Sequence, residues 1–466
     1  MSKAPFILLV NPWITDFAAH DLWSKPLGLL SLGALLRDGG CGVGLIDCVE
    51  RHDPFPEEGP GILPGTDREY GTGKFPRTPV EKPPAYREIP RRYYRFGIQP
   101  DSLRRRLRSL PRPDLIWVTS IMTYWYPGIH QTVDILREVF TDTPIWLGGI
   151  YARLCPEHAA ATSGADEVVT LAPALLPAKL EAATGFRVRN AGCWKHLGTS
   201  PFPALDLLDH PTYAPLLTSV GCPFRCPYCA SAILQPGWER RNAPDIYDEI
   251  LHWHHRLAVV DFAFYDDALL LRAEETLRPA LERLVREGCR FRFHTPNAVH
   301  VRALSPDWCR LLYESGFTTL RLGLETTRPD RQREWGGKVG NQMFLGAVKN
   351  LLGAGFSREQ LGVYLLCGLP GQTPEEVAEA IRVVAGAGAQ PYLCEYSPVP
   401  GTPMWKEACA VSPYDLAGEP LYHNNTFFAC RRPDFAYEDL LRLKDLNRAS
   451  RRRPLEAGAM RPGREA

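Results

Sequence analysis

The sequence carries almost no net charge and lacks a long hydrophobic run near its start. Its 54 Lys and Arg residues balance 53 Asp and Glu residues, which leaves a formal charge of +1. A balanced charge creates no overall field that would attract nucleic acid or a membrane surface. The first apolar run, residues 6–10, is too short for a signal peptide or a membrane span. We therefore expect neither a membrane anchor nor a general affinity for nucleic acid.

The sequence also lacks the regular cysteine pairs of a secreted disulfide protein. Its 13 cysteines are scattered and odd in number. We interpret them as reduced thiols plus one metal site, in a cytoplasmic protein. With 466 residues, of which 45% are hydrophobic, the chain is long enough for two or three domains.

One group of cysteines is closely spaced. Cys222, Cys226 and Cys229 have three and two residues between them, and they follow an apolar run and Gly221. Thiolates are the ligands of iron–sulfur clusters, and a cubane cluster needs four ligands. Three cysteines leave one iron open, and an open metal position is typical of a reactive site. A structural zinc site is the alternative, but no second Cys pair and no His at finger spacing follow Cys229.

The segment from Cys222 to Cys229 resembles the signature of the radical S-adenosylmethionine (SAM) enzymes. The resemblance implies that the three cysteines hold a 4Fe–4S cluster and that SAM binds the open iron. It also implies that Tyr228, the aromatic residue before the last cysteine, lies beside the adenine of SAM.

Residues 1–185 show the pattern of a Rossmann-like parallel sheet. Apolar runs at residues 6–10, 43–47, 114–120, 144–149 and 167–169 alternate with helical patterns. An irregular insertion rich in Pro, Gly, Arg and Tyr interrupts the pattern at about residues 51–112. Arg beside aromatic residues suits a phosphate or RNA contact. We favour the simpler interpretation that the insertion wraps over the enzyme surface.

The same region resembles the cobalamin-binding domain that precedes the radical SAM domain in one large subgroup. The matching stretches are the opening strand, residues 26–29, the strand before Thr119, and residues 147–149. The motif that supplies a lower histidine ligand to cobalt is missing, as it is in many members. A degenerate sheet that binds no corrin is the alternative. The resemblance implies cobalamin contacts at the ends of the strands, from Pro12, Thr119, Ser120, Thr123, Gly148, Gly149 and Tyr151.

Residues 212–430 show six apolar strands, each but the last followed by a helical pattern, which predicts a partial (β/α)6 barrel of the radical SAM type. The predicted strands are residues 216–220, 259–265, 291–295, 319–324, 361–366 and 392–397. We expect residues 186–211, with a linker strand at 202–206, to join the two domains. Residues 431–466 are expected to form a C-terminal helix and a basic tail.

Polar or glycine residues end each predicted barrel strand, where reactive groups gather in such barrels. The resemblance assigns SAM contacts there, in addition to Tyr228. The contacts are Asp266, Asp267, Asn297, Glu325, Gly368 and Arg321, whose guanidinium is expected to pair with the carboxylate of SAM.

The sequence therefore predicts an enzyme that cleaves SAM reductively, and cobalamin-dependent C-methylation is the first hypothesis for its reaction. The alternatives are a radical SAM enzyme without cobalamin, which performs dehydrogenation, cyclisation or epimerisation, and a non-enzymatic iron–sulfur or RNA-binding protein. We expect a low-potential electron donor such as a flavodoxin or ferredoxin. The substrate is a small molecule or peptide that no motif identifies.

Overall fold

The structure, a computed structural model, describes residues 3–56, 59 and 61–452. Strands of the N-terminal part are β1 (Phe6–Asn11), β2 (Ile14–Asp16), β3 (Gly42–Asp47), β4 (Thr66–Asp67), β5 (Gly73–Lys74), β6 (Arg77–Pro79), β7 (Tyr94–Phe96), β8 (Leu115–Val118), β9 (Ile145–Leu147) and β10 (Glu167–Val168). Its helices are α1 (Leu27–Asp38), α2 (Pro100–Ser109), α3 (Tyr126–Val139), α4 (Ile150–Leu154), α5 (Pro156–Thr162) and α6 (Leu176–Thr184).

Five parallel strands form the N-terminal sheet in the order β10-β9-β8-β1-β3. The strand order reverses between β1 and β8, and open sheets of this kind bind ligands near such a switch point. The strands are almost entirely apolar, and Leu8, Val10 and Ile116 are fully buried because helices cover both faces. The fold therefore places the loops after β1, β8 and β9 at one edge.

The insertion forms structure of its own and packs against distant parts of the chain. Strands β6 and β7 extend β2 into a three-stranded antiparallel sheet, and α2 packs on α3. The Tyr86 ring is fully buried against Phe17 and Phe427, and its hydroxyl donates to the Leu421 carbonyl at 3.0 Å. The insertion thus wraps over the enzyme surface and connects the N-terminal sheet with residues 414–428.

The second half contains β11 (Ala214–Leu216), β12 (Ser219–Val220), β13 (Glu239–Arg240), β14 (Asp261–Phe264), β15 (Arg292–His294), β16 (Phe317–Glu325), β17 (Leu361–Cys367) and β18 (Gln390–Glu395). Its helices are α7 (Ser231–Leu234), α8 (Ala243–Leu257), α9 (Leu277–Arg286), α10 (Pro306–Glu314), α11 (Pro329–Glu334), α12 (Asn341–Gly353), α13 (Pro374–Gly386), α14 (Trp405–Val411) and α15 (Tyr437–Arg452).

Six strands form an all-parallel sheet in the order β11-β14-β15-β16-β17-β18. No described strand pairs β11 with β18, so the barrel is partial. Outward-facing side chains such as Phe293, Leu322 and Val363 are buried in one core with the surrounding helices. The C-terminal helix α15 contributes Leu440 and Leu443 to this core.

Two local expectations were wrong. The first barrel strand is Ala214–Leu216 instead of residues 216–220, because Ser219 and Val220 pair with β13 outside the barrel. Residues 202–206 form no strand; Leu205–Leu207 is a 3₁₀ turn whose Leu205 is buried. The predicted domain boundaries stay predictions, and most of the basic tail, from residue 453 on, lies outside the described residues. Across the described residues, we find no helix whose length and apolar character would let it cross a bilayer.

Candidate functional site

The cysteine loop projects from a short hairpin at the carboxyl end of the first barrel strand. Strands β12 and β13 pair antiparallel, and the loop of residues 221–238 joins them. Gly221 has a φ of +77°, and a Cβ there would lie 1.9 Å from the Gly237 carbonyl oxygen. The turn therefore requires glycine.

Backbone and hydroxyl groups surround the three half-buried thiols. The Ser231 amide donates to Cys229 Sγ at 3.4 Å, and the Ser231 hydroxyl lies 3.3 Å from the same sulfur. Burial raises the pKa of the Cys222 and Cys226 thiols, and the Phe224 backbone amide opposes this at Cys222. Hydrogen-bond donors at the sulfurs are what a ligated thiolate requires.

A buried ion pair lies next to the cysteines. Lys338 Nζ is 2.7 Å from Glu325 Oε1, and their side chains are 19% and 12% exposed. Burial lowers the pKa of Lys338, but the charges of Glu325 and Cys226 outweigh this effect and raise it overall. The ammonium group also lies 5.9 Å from the centre of the Tyr228 ring. The site therefore holds a cation and an anion beside the cluster loop.

Glu325 occupies a strained position. Its φ of +67° lies in the left-handed region, and the register between β16 and β17 shifts between Gly323 and Glu325. Such strain in a non-glycine residue typically accompanies a functional constraint. The bulge turns the carboxylate toward Lys338 and the cysteine loop.

Tyr228, which the sequence placed beside adenine, lies in this group. Its hydroxyl is buried without a hydrogen-bond partner of ordinary geometry among the described residues. Burial raises its pKa far above the usual value, so the hydroxyl stays protonated. Its ring contacts Trp335 edge-on, with 6.0 Å between the centroids. An unsatisfied hydroxyl beside Cys226 suits contact with a bound ligand.

The two adjacent aspartates have different roles. Asp266 is 2% exposed, and its oxygens accept bonds from the Thr218 amide and from the hydroxyls of Thr218 and Ser219. It therefore fastens the hairpin that carries the cysteine loop. Asp267 is exposed, and the described residues include no cation within ion-pair distance of it. Only Asp267 presents a carboxylate to the open side of the site.

Asn297 and Gly368 lie at other strand ends. Asn297 Nδ2 donates to the Tyr265 carbonyl at 2.8 Å, so its side-chain oxygen stays available as an acceptor. Gly368 has a φ of +85°, and a Cβ there would lie 2.3 Å from the Phe428 ring. The Gly368 amide donates to Gln372 Oε1 at 2.8 Å. The structure thus gives Gly368 a packing role, and its predicted contact with SAM stays a prediction.

Arg321 lies farther from the cysteines than Glu325. Its guanidinium is 4.7 Å from the centre of the Tyr392 ring, and it donates to the Leu320 carbonyl at 3.3 Å. Arg321 precedes Glu325 by four positions along β16, which corresponds to at most roughly 13 Å of extended strand. The structure therefore does not bring Arg321 into the Tyr228–Lys338 group.

The predicted cobalamin residues lie together at the edge of the N-terminal sheet, but most are internally bonded. Ser120 Oγ donates to the Gly148 carbonyl at 2.6 Å, and the Thr123 hydroxyl donates to His423 Nδ1 at 2.8 Å. His423 must accept there because its Nε2–H donates to the Leu416 carbonyl at 2.8 Å. Tyr151 is fully buried, with its hydroxyl 2.6 Å from His158 Nδ1.

The other three complete the edge. Pro12 is buried, and Thr119 is half-buried. Gly149 has a φ of +93°, and a Cβ there would lie 2.3 Å from the Ser120 carbonyl oxygen. The close approach of these two loops therefore depends on glycine.

Exposed apolar side chains mark the same edge. Met122 follows β8, and Leu171 and Leu175 follow β10; their exposures are 41%, 42% and 56%. Arg153, after β9, donates to the Leu234 carbonyl at 2.6 Å and so ties this edge to α7, the short helix within the cysteine loop. Exposed apolar residues beside a second domain fit a large, flat, mostly apolar ligand.

Sequence reasoning missed three residues of this site. Lys338 and His300 come from loops that only the fold brings to the cysteines, and no local motif marks either. His300 is 8% exposed, stacks on Phe224 of the cysteine loop at 4.3 Å, and has no partner for either ring nitrogen among the described residues. Burial lowers its pKa to about 4. Gly336 lies against Cys226, where a Cβ would be 3.7 Å from the sulfur.

Within the described ranges, no three His, Cys, Asp or Glu side chains are close enough to share one metal ion. The three cysteines fit a cluster instead, because each thiolate of a cubane binds its own iron.

The sequence of the C-terminal half of the chain identifies a known domain family. Residues 216–384, from the end of β11 into α13, match the model of the radical SAM superfamily. The chain contains a radical SAM domain. This confirms the family predicted from the cysteine loop. Radical SAM enzymes in general need an external electron donor.

The radical SAM domain and the N-terminal part both have counterparts in known proteins. The chain is 25% identical to an uncharacterised methyltransferase from Pyrococcus horikoshii over 334 residues, which is 64% of this chain and 70% of that one. It superposes on the radical SAM methyltransferase TsrM of Kitasatospora setae, solved with cobalamin and a [4Fe–4S] cluster, with a TM-score of 0.64 and 17% identity. That alignment covers 95% of this chain and 91% of TsrM.

The cobalamin-dependent radical SAM enzyme OxsB, solved with aqua-cobalamin and SAM, gives a TM-score of 0.55 at 13% identity. The alignment covers 96% of this chain and 62% of OxsB. Likeness at these identities shows the fold. The predicted fold class, a Rossmann-like sheet followed by a partial barrel, is confirmed.

Proposed function

We propose that the protein is a cobalamin-dependent radical SAM enzyme that methylates a carbon atom of its substrate. One observation carries the proposal: a three-cysteine loop at the mouth of an open barrel is tied to the carboxyl edge of a second parallel sheet. The described residues give that edge exposed apolar side chains. The likeness to TsrM, a methyltransferase that holds cobalamin and a cluster, and the methyltransferase relative support the reaction type.

Cys222, Cys226 and Cys229 would hold the 4Fe–4S cluster, since the half-buried thiols and their hydrogen-bond donors fit it. When bound, such a cluster supplies an electron at low potential for the reductive cleavage of a sulfonium. Lys338 places a positive charge near two of the sulfurs. That charge lowers the cost of bringing a further electron into the site.

Other side chains of this site would bind SAM. Asp267 presents an unpaired carboxylate that suits a sulfonium or amine cation, and Glu325 is held by Lys338. Asn297 offers an oxygen for a ribose hydroxyl, and Tyr228 offers its ring and its unsatisfied hydroxyl to the adenine. We propose that Asp266 and Gly368 act indirectly, by fixing the hairpin and the turn beside Phe428.

The N-terminal edge would hold cobalamin, which when bound supplies methyl-group transfer. The loops that contain Pro12, Thr119 and Gly149 would support it, together with Ser120, Thr123, Gly148 and Tyr151. Met122, Leu171 and Leu175 would cover its apolar faces. The donor of electrons is a small low-potential protein such as a flavodoxin or ferredoxin.

A second candidate is a radical SAM enzyme that uses no cobalamin. The observation that favours it is that the polar groups of Ser120, Thr123 and Tyr151 are already satisfied by internal bonds. In that case the reaction would be a dehydrogenation, cyclisation or epimerisation.

Anaerobic expression with a cobalamin supply separates the candidates. We expect the purified protein to show corrin absorption, and to release both 5′-deoxyadenosine and S-adenosylhomocysteine when incubated with SAM and a strong reductant. Release of 5′-deoxyadenosine alone, without a corrin band, would support the second candidate. Release of neither product would contradict both.

The matched controls are two cysteine variants. Cys226→Ala removes a proposed cluster ligand, and Cys193→Ala removes a half-buried thiol in the N-terminal part. We expect the first to abolish SAM cleavage and the second to leave it unchanged.

A further inference from the structure

The inward-facing side chains of the barrel strands are partly exposed, so the barrel encloses a chamber that solvent can enter. On β16, the outward-facing Leu320, Leu322 and Leu324 are at most 1% exposed, whereas the inward-facing Arg321 and Glu325 are half-buried. Neighbouring strands show the same alternation, with half-buried inward side chains at Thr319, Tyr364, Leu366, Tyr392 and Cys394. These inner side chains therefore line space that a small molecule can occupy.

Two aromatic residues from the N-terminal part close the end of the chamber that lies away from the cysteines. The Trp23 ring stacks on inward-facing His294, with centroids 4.7 Å apart and planes 20° apart, and Tyr70 contacts the same ring at 5.0 Å. His294 is fixed because its Nε2–H donates to Asp261 and its Nδ1 accepts from the Thr319 hydroxyl. The floor is thus aromatic and rigid.

Trp23 has two unusual features. Its φ of +63° lies in the left-handed region, and its indole N–H is buried without a partner among the described residues. A strained residue with an unsatisfied buried donor is uncommon unless a bound ligand accepts the hydrogen bond of that donor.

The charges of the chamber are unbalanced. Apart from Asp267 at the mouth, its acids have partners: Asp261 pairs with Arg292 at 2.6 Å, and Glu325 pairs with Lys338 at 2.7 Å. Arg321 has no carboxylate within 4.0 Å among the described residues; its neighbours are the Tyr392 ring and the Leu320 carbonyl. The lower half of the chamber therefore contains a guanidinium whose charge nothing in the described chain neutralises.

We infer that the chamber binds a substrate that carries a carboxylate, that Arg321 pairs with this group, and that the Trp23 indole donates to the same end of the molecule. A planar guanidinium matches a carboxylate with two parallel hydrogen bonds. The anion is held at the floor, and the rest of the substrate extends toward the cysteine loop. This inference rests on the proposed function, and it assigns Arg321 to the substrate instead of the carboxylate of SAM.

Depth in the barrel supports that assignment. Lys338 and Glu325 interact with Cys226 and Tyr228, near the mouth. Arg321 interacts with His294, Tyr364 and Tyr392, which belong to the middle and the floor. A cofactor held at the cysteines meets the first group, and a molecule below it meets the second.

The test compares acids with their neutral analogues. A library of small carboxylates, each with its primary amide, is screened against the full-length protein by saturation-transfer NMR, and affinities are measured by calorimetry. We expect wild type to bind at least one acid about 10- to 100-fold more tightly than its amide, the size of a lost charge-assisted bond. Arg321→Met removes this preference, whereas Arg321→Lys keeps part of it. Arg310→Met, on the exposed surface of α10, leaves it unchanged.

Uncoupled SAM cleavage, measured on the same preparations, distinguishes the two proposals. If Arg321 serves the substrate, Arg321→Met lowers the affinity for the acid by a much larger factor than the affinity for SAM. A loss of SAM affinity as large as the loss of acid affinity in that variant would overturn the inference, as would a library in which no acid binds better than its amide. A wild-type protein that prefers acids but cleaves no SAM would contradict the proposed function alone.

Discussion

The two parallel sheets use the polar residues at their carboxyl edges differently. At the barrel edge, Tyr228 and His300 have buried polar atoms without partners, and Asp267 has no ion-pair partner, among the described residues. At the N-terminal edge, Ser120 and Thr123 are bonded to other parts of the chain. Unsatisfied polar groups indicate a site built for ligands, whereas satisfied ones hold the structure together. The comparison predicts that barrel-edge changes affect chemistry and that changes around the N-terminal edge affect stability.

The largest effect is expected at the barrel edge. Cys226→Ala should abolish iron and sulfide incorporation and all SAM cleavage, because two thiolates do not retain the cluster. Iron analysis, the visible spectrum and product detection check this, with Cys193→Ala as control. A Cys226→Ala protein that incorporates a full cluster would contradict the claim that the barrel edge, unlike the N-terminal edge, is built for chemistry.

The next effect concerns the aromatic cluster that holds the insertion. Tyr86→Ala should reduce stability by about 3–5 kcal/mol, because a fully buried ring is lost. Tyr86→Phe, which keeps the ring but loses the bond to the Leu421 carbonyl, should cost about 1 kcal/mol. Thermal melting measures both, and the reconstituted variants should keep the cluster spectrum. A Tyr86 variant that melts at the wild-type temperature but loses the cluster would show that this region affects chemistry instead of stability, contrary to the prediction.

The stability that we expect from the N-terminal edge should depend on pH, because His423 is buried beside it. Burial lowers its pKa to about 4, so the unfolded chain binds a proton that the folded chain rejects. The stability that it contributes is complete above pH 6.5 and is lost as pH falls toward 4, by about 3 kcal/mol. His423→Gln should show a shallower fall in melting temperature over this range, whereas the control His255→Gln, on an exposed residue, should not.

The smallest effect is expected at the surface contact between the linker and α1. Arg37 pairs with Asp206 at 3.0 Å, but 38% of its side chain is exposed. Arg37→Ala should therefore change stability by less than about 1 kcal/mol. A larger loss of melting temperature would mean that the Arg37–Asp206 contact stabilises the fold more than its exposure suggests.

The strongest sequence signals concerned features that are local in the chain. The spacing of the three cysteines and the apolar runs of β14, β16 and β17 predicted the loop and the barrel, because each pattern lies within one element. By contrast, α2 was missed in the insertion. It is rich in Arg, and only Leu103 and Leu107 form its buried apolar stripe. The pattern of α2 is amphipathic, but only two buried leucines carry it, and the irregular composition of the surrounding insertion outweighed that signal.

The rest of the site depends on contacts between distant segments. Lys338 meets Glu325 only because a bulge turns β16, and Trp23 reaches His294 only because the N-terminal part covers the floor of the barrel. Nothing in the residues around Lys338 or Trp23 records these neighbours. For the same reason, the sequence could place Arg321 on a strand end but not identify its depth in the chamber.

The central claim is that three cysteines hold a cluster with one iron free for SAM. The most direct measurement is an EPR spectrum of the anaerobically reconstituted, reduced protein before and after SAM is added. We predict the signal of a reduced 4Fe–4S cluster whose g values shift when SAM binds. A protein that yields no cluster signal, or one whose signal SAM leaves unchanged, would contradict the account.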